Sequence, residues 1–314
     1  MALQNACAAD LGYSKNGSMD ELPKDTTGPR RGTRCSLLAK VNLPAELDRW
    51  WYYTKYNLRD VYDAYLSPSR PPVRTPFGFS LGGSQSQHHV AMQGGTFDHH
   101  EVVLLQRLLA DADALIDVGA NIGYFACLAR QMGKRAVAIE PLPANLKHLY
   151  ANLRINGWSD TEVFPMAASD TAGQLTLFGA SSTGASLISR WAGAPILFHR
   201  TVAVSMLDRM VGSAPGRLVI KIDVEGNEYR TLLGARSLLD RVPRPKWFIE
   251  ISLNEFLPSG SNADFAPTFE LFFERGYKIE RLEDGELVRV TRDDVQRWVR
   301  DNKTGVNFFN YLFT

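Results

Sequence analysis

Cysteine is scarce in this chain, and long apolar runs are absent. The 314 residues include three cysteines, Cys7, Cys35 and Cys127, too few and too scattered for a disulfide framework or a cysteine-based zinc site. No apolar run reaches the roughly 18 residues that a membrane-spanning helix requires, and charges interrupt the N-terminal stretch where a signal peptide would keep an apolar core. We therefore expect a cytoplasmic protein with no membrane span.

An excess of charge of either sign is also missing. The sequence has 35 basic and 34 acidic residues, which gives a formal net charge of +1. A nearly neutral chain lacks the global electrostatic field that holds nucleic acids. We expect no nucleic-acid partner, and the composition favours a small-molecule or glycan substrate.

Three regions differ in composition. Residues 1–35 are polar and lack apolar periodicity, which predicts a flexible N-terminal tail. Residues 36–95 are expected to form a helical, aromatic cap with a connecting segment, and residues 96–314 a cofactor-binding domain. Aromatic side chains crowd the cap, namely Trp50, Trp51, Tyr52, Tyr53, Tyr56, Tyr62 and Tyr65. They either pack the cap onto the core or onto a second subunit of a homodimer, or present a stacking surface to a substrate.

Histidines cluster where the cap meets the next domain, as His88, His89, His99 and His100. Adjacent histidine pairs lack the i, i+4 spacing of helical zinc ligands, so we expect no metal site. His100 is a candidate catalytic base because imidazole titrates near neutral pH.

Residues 90–92 resemble a short strand, and Asp98 with Glu101 resembles the capping box of a following helix.

Strands and helices then alternate. The predicted strands of the domain are 115–118, 136–139, 162–165, 218–222 and 247–251, with further strands at 174–178, 201–204, 277–282 and 306–313. Helical patterns separate the main strands, and βαβ units of this kind require a parallel sheet with helices on both faces. The long loop 179–195 is rich in Ser, Gly and Ala and is expected to be a lid or a binding loop.

The carboxyl ends of these strands carry the candidate binding residues. Ligands of open parallel sheets lie beyond these ends, where the chain has Asp117, Glu140, Asp223 and Glu250. Gly119 and Gly123 allow a close backbone approach, and Glu140 can accept hydrogen bonds from both hydroxyls of a ribose.

The spacing of the glycines separates two classes of cofactor. A pyrophosphate-binding loop has the pattern Gly-x-Gly-x-x-Gly, whereas this turn reads GANIG over 119–123. Asp117 before the turn would repel a phosphate and would suit an ammonium group. The pattern therefore favours S-adenosyl-L-methionine, which has an ammonium, a sulfonium and a ribose but no phosphate.

Three blocks of the sequence resemble the FkbM-type S-adenosylmethionine-dependent methyltransferases. They are DVGANIGYF at 117–125, IEPLPAN at 139–145 and KIDVEGNE at 221–228, and the resemblance covers roughly residues 95–253. It implies a class I methyltransferase, Rossmann-like fold: an α/β architecture with a seven-stranded, mostly parallel sheet whose last strand is antiparallel. It also implies methylation of hydroxyl oxygens, often on sugars or natural-product scaffolds.

The resemblance also implies roles for individual residues. Asp117, Gly119, Asn121 and Gly123, with Tyr124 beside them, would hold the methionine part. Glu140 and Pro141 would hold the ribose, and the segment 168–170, with Ser169, the adenine. The chain departs from the family at 97–101 (FDHHE), so that only Glu101 is carried over on the substrate side.

Asp223 and Glu225, together with His100, are the candidate catalytic residues. A base near the acceptor would help a weakly acidic hydroxyl to attack the methyl group, and Lys221 and Glu250 could tune it. Asp223 is also a candidate cofactor ligand. The alternatives are an N-methyltransferase acting on an amine or peptide, an NAD-dependent oxidoreductase, and a non-catalytic scaffold that keeps the cofactor fold.

Overall fold

A computed structural model describes Tyr62 and residues 68–179, 184–194, 196–306 and 309–314. The predicted tail (1–35) lies outside these residues, and so do the aromatic residues of the predicted cap except Tyr62, which is exposed. The dimer expected through that cap therefore stays a prediction. Among the described residues, no helix is both long and apolar enough to cross a membrane.

The described chain alternates strands and helices. The strands are β1 (Arg70–Arg74), β2 (Ser80–Gly83), β3 (Ala114–Val118), β4 (Arg135–Ile139), β5 (Glu162–Phe164), β6 (Ala167–Ala168), β7 (Gly173–Phe178), β8 (His199–Ser205), β9 (Leu218–Ile222), β10 (Lys246–Glu250), β11 (Ile279–Glu283), β12 (Glu286–Arg289) and β13 (Asn310–Phe313). The helices are α1 (Gln87–Gly94), α2 (His99–Ala110), α3 (Tyr124–Gln131), α4 (Pro143–Ile155), α5 (Leu207–Val211), α6 (Glu228–Leu233), α7 (Arg236–Leu239), α8 (Phe265–Phe273) and α9 (Arg292–Asp301). A short 3-10 turn spans Trp191–Gly193.

The central sheet has the strand order β12-β11-β13-β10-β9-β3-β4-β5. Strands β5, β4, β3, β9 and β10 are parallel, and β13 runs antiparallel between β10 and β11. This confirms the mostly parallel, class I methyltransferase-like sheet with an antiparallel last strand. The described sheet has eight strands, one more than expected, because β11 turns back at Asp284 and Gly285 and pairs with β12.

Strands β3 and β9 form the middle of the sheet. All five residues of each are buried, as in parallel strands that are covered by helices on both faces. Two charged residues break this apolar pattern, Asp117 in β3 and Lys221 in β9, and they are direct partners in the ladder. Opposite charges are therefore neighbours next to the carboxyl edge of the sheet, where burying either charge without the other would be costly in free energy.

The β1–β2 hairpin and α1 pack against the domain that follows. Asn152 in α4 exchanges hydrogen bonds with Gly82, accepting from its N–H at 2.7 Å and donating to its carbonyl at 3.1 Å. Phe79, Leu81 and Met92 join the same apolar cluster as α2 and α3. The predicted division between residues 95 and 96 therefore does not coincide with a break in this core.

Helix α1 replaces the strand expected at 90–92. The Ser86 side chain caps it by accepting the N–H of His89 at 3.2 Å, a helix signal that the sequence interpretation overlooked. The capping box expected at Asp98 and Glu101 is also wrong. Asp98 begins α2 with φ 40° and makes no side-chain cap, and Glu101 instead accepts a hydrogen bond from Asn310 at 2.6 Å.

A small second sheet of three strands, in the order β6-β8-β7, follows β5 in the chain. Strand β6 is parallel to β8, and β7 is antiparallel to it. The segment 184–194 leaves this sheet beside β7, where Phe178 and Ser186 form an isolated bridge. Ser186, which lies within the predicted loop 179–195, is thus paired with the last residue of β7.

Candidate active site

A cavity lies at the carboxyl ends of β3, β4, β9 and β10. Gly119, Glu140, Asp223 and Glu250, which follow or end these strands, all line it. Parallel strands bring residues that are distant in sequence to one edge of the sheet, as the sequence interpretation expected. Asn121, Tyr124, Pro141 and Glu225, also singled out from the sequence, line the same cavity.

Gly119 allows the turn after β3 to approach the turn after β9. Its φ is +85°, and a Cβ built on it would lie 1.8 Å from the backbone oxygen of Asp223. A side chain would therefore meet both a conformational and a steric penalty. The two turns that carry Asn121 and Asp223 stay in contact because residue 119 has no side chain.

Glu140 joins the end of β4 to the glycine turn. Its Oε2 accepts the Asn121 N–H at 2.9 Å, and its Oε1 accepts the Leu142 N–H at 2.8 Å. Burial raises the pKa of Glu140 to about 7, although these N–H groups favour the charged form. A carboxylate has about four acceptor sites, so these two bonds leave capacity for hydroxyl donors.

Asp117 and Gly123 do not line the cavity, although the sequence placed both at the cofactor. Asp117 Oδ2 accepts the Ala126 N–H at 3.1 Å, and Oδ1 is buried with no hydrogen-bond partner among the described residues. Burial raises the pKa of Asp117 to about 6. Gly123 has φ +84° beside Leu149. Both residues therefore shape the turn from behind it, and direct contact of Asp117 with a ligand is not part of this geometry.

Ser169 also lies outside the cavity. Its N–H bonds the carbonyl of Ser205, and its hydroxyl donates to Asp170 at 3.2 Å. The cavity wall expected from segment 168–170 is formed two residues earlier in the chain, by residues 166–168. The pairing of β6 with β8 directs Ser169 away, and sequence spacing alone does not give that register.

The cavity has a pronounced acidic region. Lys221 Nζ lies 3.0 Å from Asp223 Oδ2, and this lysine side chain is 4% exposed. Burial lowers the pKa of Lys221, but the charges of Asp223, Asp117 and Glu101 outweigh it, so that the net pKa lies above its usual value. Lys221 therefore stays charged, and its ammonium group pairs with Asp223 at the cavity wall.

Glu225, Glu101 and Glu250 share this region. Burial raises the pKa of each, and the charge of Asp223 and of neighbouring carboxyls adds to the increase. The pKa of Glu250 reaches about 8. Glu225 has φ 55°, a strained conformation for a residue with a side chain, and its carboxylate accepts a hydrogen bond from Trp191.

His100 lies away from the cavity. It is exposed on the first turn of α2, against the β11–β12 turn, where a Cβ on Gly285 would be 2.9 Å from its Nδ1. His88 lines the cavity, and burial lowers its pKa to about 4, so that it is neutral at physiological pH. His89 is buried and contacts the Asn121 side chain through Nε2 at 3.2 Å. His88, and not His100, is therefore the histidine that lines the cavity.

The sequence interpretation missed two aromatic contributors. Trp191 lies 3% exposed beside the cavity, and its ring centroid is 5.9 Å from that of Phe256, which lines the cavity. The signal for Trp191 was its position as the one tryptophan of the predicted loop 179–195. Phe256 follows β10 in an irregular segment without a recognisable motif.

Comparison with protein families gives one match for the domain. A family model described as the methyltransferase FkbM domain matches residues 117–279, just over half of the chain. This match confirms the resemblance drawn from the three sequence blocks. No curated protein sequence matches this chain.

Several solved structures with a similar fold are described as methyltransferases. An O-methyltransferase of Bacillus cereus in complex with SAH is 11% identical with a TM-score of 0.41, the alignment covering 88% of this chain and 93% of that one. A SAM-dependent O-methyltransferase of Thermotoga maritima is 10% identical with a TM-score of 0.36, covering 78% and 77%. A precorrin-6y C5,15-methyltransferase of Geobacter metallireducens is 11% identical with a TM-score of 0.35, covering 69% and 87%. Identities and scores this low transfer no residue role or substrate.

Proposed function

The chain belongs to the FkbM methyltransferase family, and we propose that it methylates a hydroxyl group of a sugar or natural-product scaffold. It is an S-adenosyl-L-methionine-dependent methyltransferase, and the hydroxyl acceptor is the part that we propose. The observation that carries the proposal is the position of Asp223: a carboxylate paired with a buried lysine, in the wall of the cavity beside the glycine turn.

The described cavity suits the cofactor. The backbone cradle at Gly119 admits no side chain, and Glu140 at the end of β4 keeps acceptor capacity for hydroxyl donors. Bound S-adenosyl-L-methionine supplies an electrophilic methyl group on a sulfonium.

We assign the cofactor end to the glycine turn and β4. The backbone at Gly119 and Asn121 contacts the amino-acid part of the cofactor. Glu140 and Pro141 bind the ribose. Residues 166–168 form the wall against the adenine. Asp117 and Gly123 support this end from behind by fixing the turn. Tyr124 lies on the side of the cavity that faces α1 and α2.

Asp223 is the proposed general base. It accepts the proton of the acceptor hydroxyl as the oxygen bonds to the methyl group and S-adenosylhomocysteine leaves. Before this step, Lys221 offsets the negative charge of Asp223 among the neighbouring carboxyls. Glu225 orients the segment that carries Trp191 and closes one side of the cavity. Positioning of the acceptor by this wall contributes to the rate because displacement at a methyl group requires alignment of the reacting atoms.

Comparison of metabolites from cells with and without the protein tests the proposal. Mass spectrometry is expected to find one compound that gains a CH₂ unit only when the protein is present. The same compound, purified in its unmethylated form, must yield S-adenosylhomocysteine in stoichiometric amount with the purified chain. Cofactor binding without any such product would contradict the proposed function.

A further inference from the structure

The cavity is lined by far more acidic than basic groups. Its described lining includes six carboxyl side chains, Asp98, Glu101, Glu140, Asp223, Glu225 and Glu250, and one ammonium group, that of Lys221. That ammonium is already paired with Asp223 at 3.0 Å. A cationic ligand favours the charged form of such carboxyls, so the lining gives the cleft a preference for cations.

Most of these carboxyls have a partner within the protein. Glu140 accepts two backbone N–H groups, Glu101 accepts from Asn310, and Glu225 accepts from Trp191. Glu250 and Asp98 differ, since neither side chain accepts a hydrogen bond from another described residue, and Glu250 is the one that ends a strand of the central sheet. Glu250 is only partly buried at the end of β10, where its carboxyl group interacts electrostatically with Asp223 and Lys221.

Aromatic groups complete the wall. Phe97, Tyr124 and Phe125 line the cavity, and Lys221 Nζ lies 4.8 Å from the centre of the Phe125 ring. One ammonium group is therefore already held here by a carboxylate and an aromatic ring.

The hydroxyl of Tyr124 is a second, independent sign of a ligand at this wall. The residue is 1% exposed, and the hydroxyl has no hydrogen-bond partner among the described residues. A buried polar atom without a partner is costly unless a bound molecule satisfies it. Tyr124 also interacts electrostatically with Asp98, which places it on the acidic side of the cavity.

We propose that the methyl acceptor carries a protonated amine besides the hydroxyl that is methylated, as in an amino sugar or amino alcohol. Glu250 accepts N–H groups of this ammonium, and the hydroxyl of Tyr124 accepts a further one. This inference rests on the proposed methyl transfer and specifies its substrate class. A neutral polyol brings no cation to these carboxyls, and an acidic sugar adds a further carboxyl to them.

Binding of three matched small molecules tests this inference. The full chain is first titrated with S-adenosylhomocysteine, and the loaded protein is then titrated with ethanolamine, ethylene glycol and glycolate, which share a two-carbon skeleton. We expect ethanolamine to bind about tenfold or more tightly than ethylene glycol, and glycolate to bind most weakly, because charge decides the order. Calorimetry in two buffers is expected to show proton release with ethanolamine alone, since a cation favours the charged carboxylates.

Glu250→Gln keeps the shape of the side chain and removes its charge. We expect it to weaken ethanolamine binding about tenfold while leaving the affinity for S-adenosylhomocysteine within about twofold. Glu270→Gln is the matched control, because Glu270 pairs with Arg292 on a half-exposed surface outside the cavity. It is expected to change neither affinity.

The outcomes are distinguishable. No binding of S-adenosylhomocysteine would count against the proposed function itself. If the cofactor product binds, three results overturn only the amine inference: equal binding of ethanolamine and ethylene glycol, binding of none of the three, or a Glu250→Gln variant with unchanged ethanolamine affinity. Magnesium chloride that competes fully with ethanolamine would also overturn it in favour of a metal site.

Discussion

Trp191 donates its indole N–H to the carboxylate of Glu225 over 2.7 Å, which ties segment 184–194 to the turn after β9. The hydroxyl of Ser186 reinforces this link, because it donates to the backbone carbonyl of Glu225 at 2.6 Å. The cavity wall therefore includes segment 184–194, which is held to Glu225, a residue with φ 55°.

Trp191→Phe is expected to loosen this segment. The aromatic side chain is kept, but the hydrogen bond to Glu225, worth about 0.5–1.5 kcal/mol, is lost. Trypsin should then cleave after the exposed Arg190 roughly tenfold faster or more, which peptide mass spectrometry of timed digests measures. Glu225→Gln, whose amide oxygen still accepts from the indole, should show a smaller effect. Equal cleavage of Trp191→Phe and wild type would show that the hydrogen bond does not hold the segment.

Gly119→Ala is expected to destabilise the protein and prevent cofactor binding. The new Cβ would collide with the Asp223 backbone oxygen and sit at φ +85°. We expect a loss of about 3 kcal/mol or more in the free energy of unfolding, measured by urea denaturation. Gly133→Ala is the matched control, since φ is +73° and no atom lies within 4 Å of the added Cβ, so that only about 1–2 kcal/mol is at stake. Equal losses in both variants would contradict the close approach of the two turns.

Asp223→Asn is expected to abolish most turnover and to preserve cofactor binding. The amide cannot accept the acceptor's proton, so the rate should fall about 100-fold to 10,000-fold. The measurements are S-adenosylhomocysteine formation and calorimetric titration with S-adenosylhomocysteine. Asp160→Asn is the control, because Asp160 pairs with Arg130 at an exposed position outside the cavity. Undiminished methylation by Asp223→Asn would remove Asp223 from the mechanism.

The cofactor-free protein is expected to lose stability as pH rises from about 5 to about 8. Burial raises the pKa of Glu140 and Glu228 to about 7 and that of Glu250 to about 8, above the ordinary value of 4.5. Between pH 5 and 8 the folded chain therefore keeps protons on these carboxyls that the unfolded chain has already released. Each such carboxyl lowers the free energy of unfolding by up to about 1.4 kcal/mol per pH unit.

Urea denaturation at a series of pH values measures this dependence. Glu250→Gln cannot release a proton, so its stability curve should be flatter than that of the wild type, most clearly between pH 7 and 8. A free energy of unfolding that rises steadily across the window would contradict the burial of these carboxyls.

The central part of the site could be predicted from the sequence because its signals are local. The glycine turn at Gly119, Glu140 after the next strand and Asp223 after β9 each follow a buried apolar strand, and parallel pairing then brings strand ends together. Physical rules about strand ends are sufficient for this step. The glycine spacing favoured S-adenosyl-L-methionine as the cofactor, and the family resemblance agreed with it.

Other parts depend on tertiary register. Ser169 lies outside the cavity, where β6 pairs with β8. Asp98 does not cap α2 through its side chain and lines the cavity instead. His88, and not His100, lines the cavity, and His88 lies in α1, the helix that Ser86 caps. Trp191 reaches Glu225 across 34 positions of the chain, a contact that no local pattern encodes.

The position of the transferred methyl group tests the central claim most directly. The purified chain is incubated with S-adenosyl-L-methionine carrying an isotopically labelled methyl group and with the acceptor identified from cells, and the product is examined by nuclear magnetic resonance. We expect the labelled carbon to be bonded to oxygen, with one S-adenosylhomocysteine formed per methyl group transferred. A labelled methyl group on nitrogen or carbon, or no labelled product with a saturated cofactor site, would contradict the account.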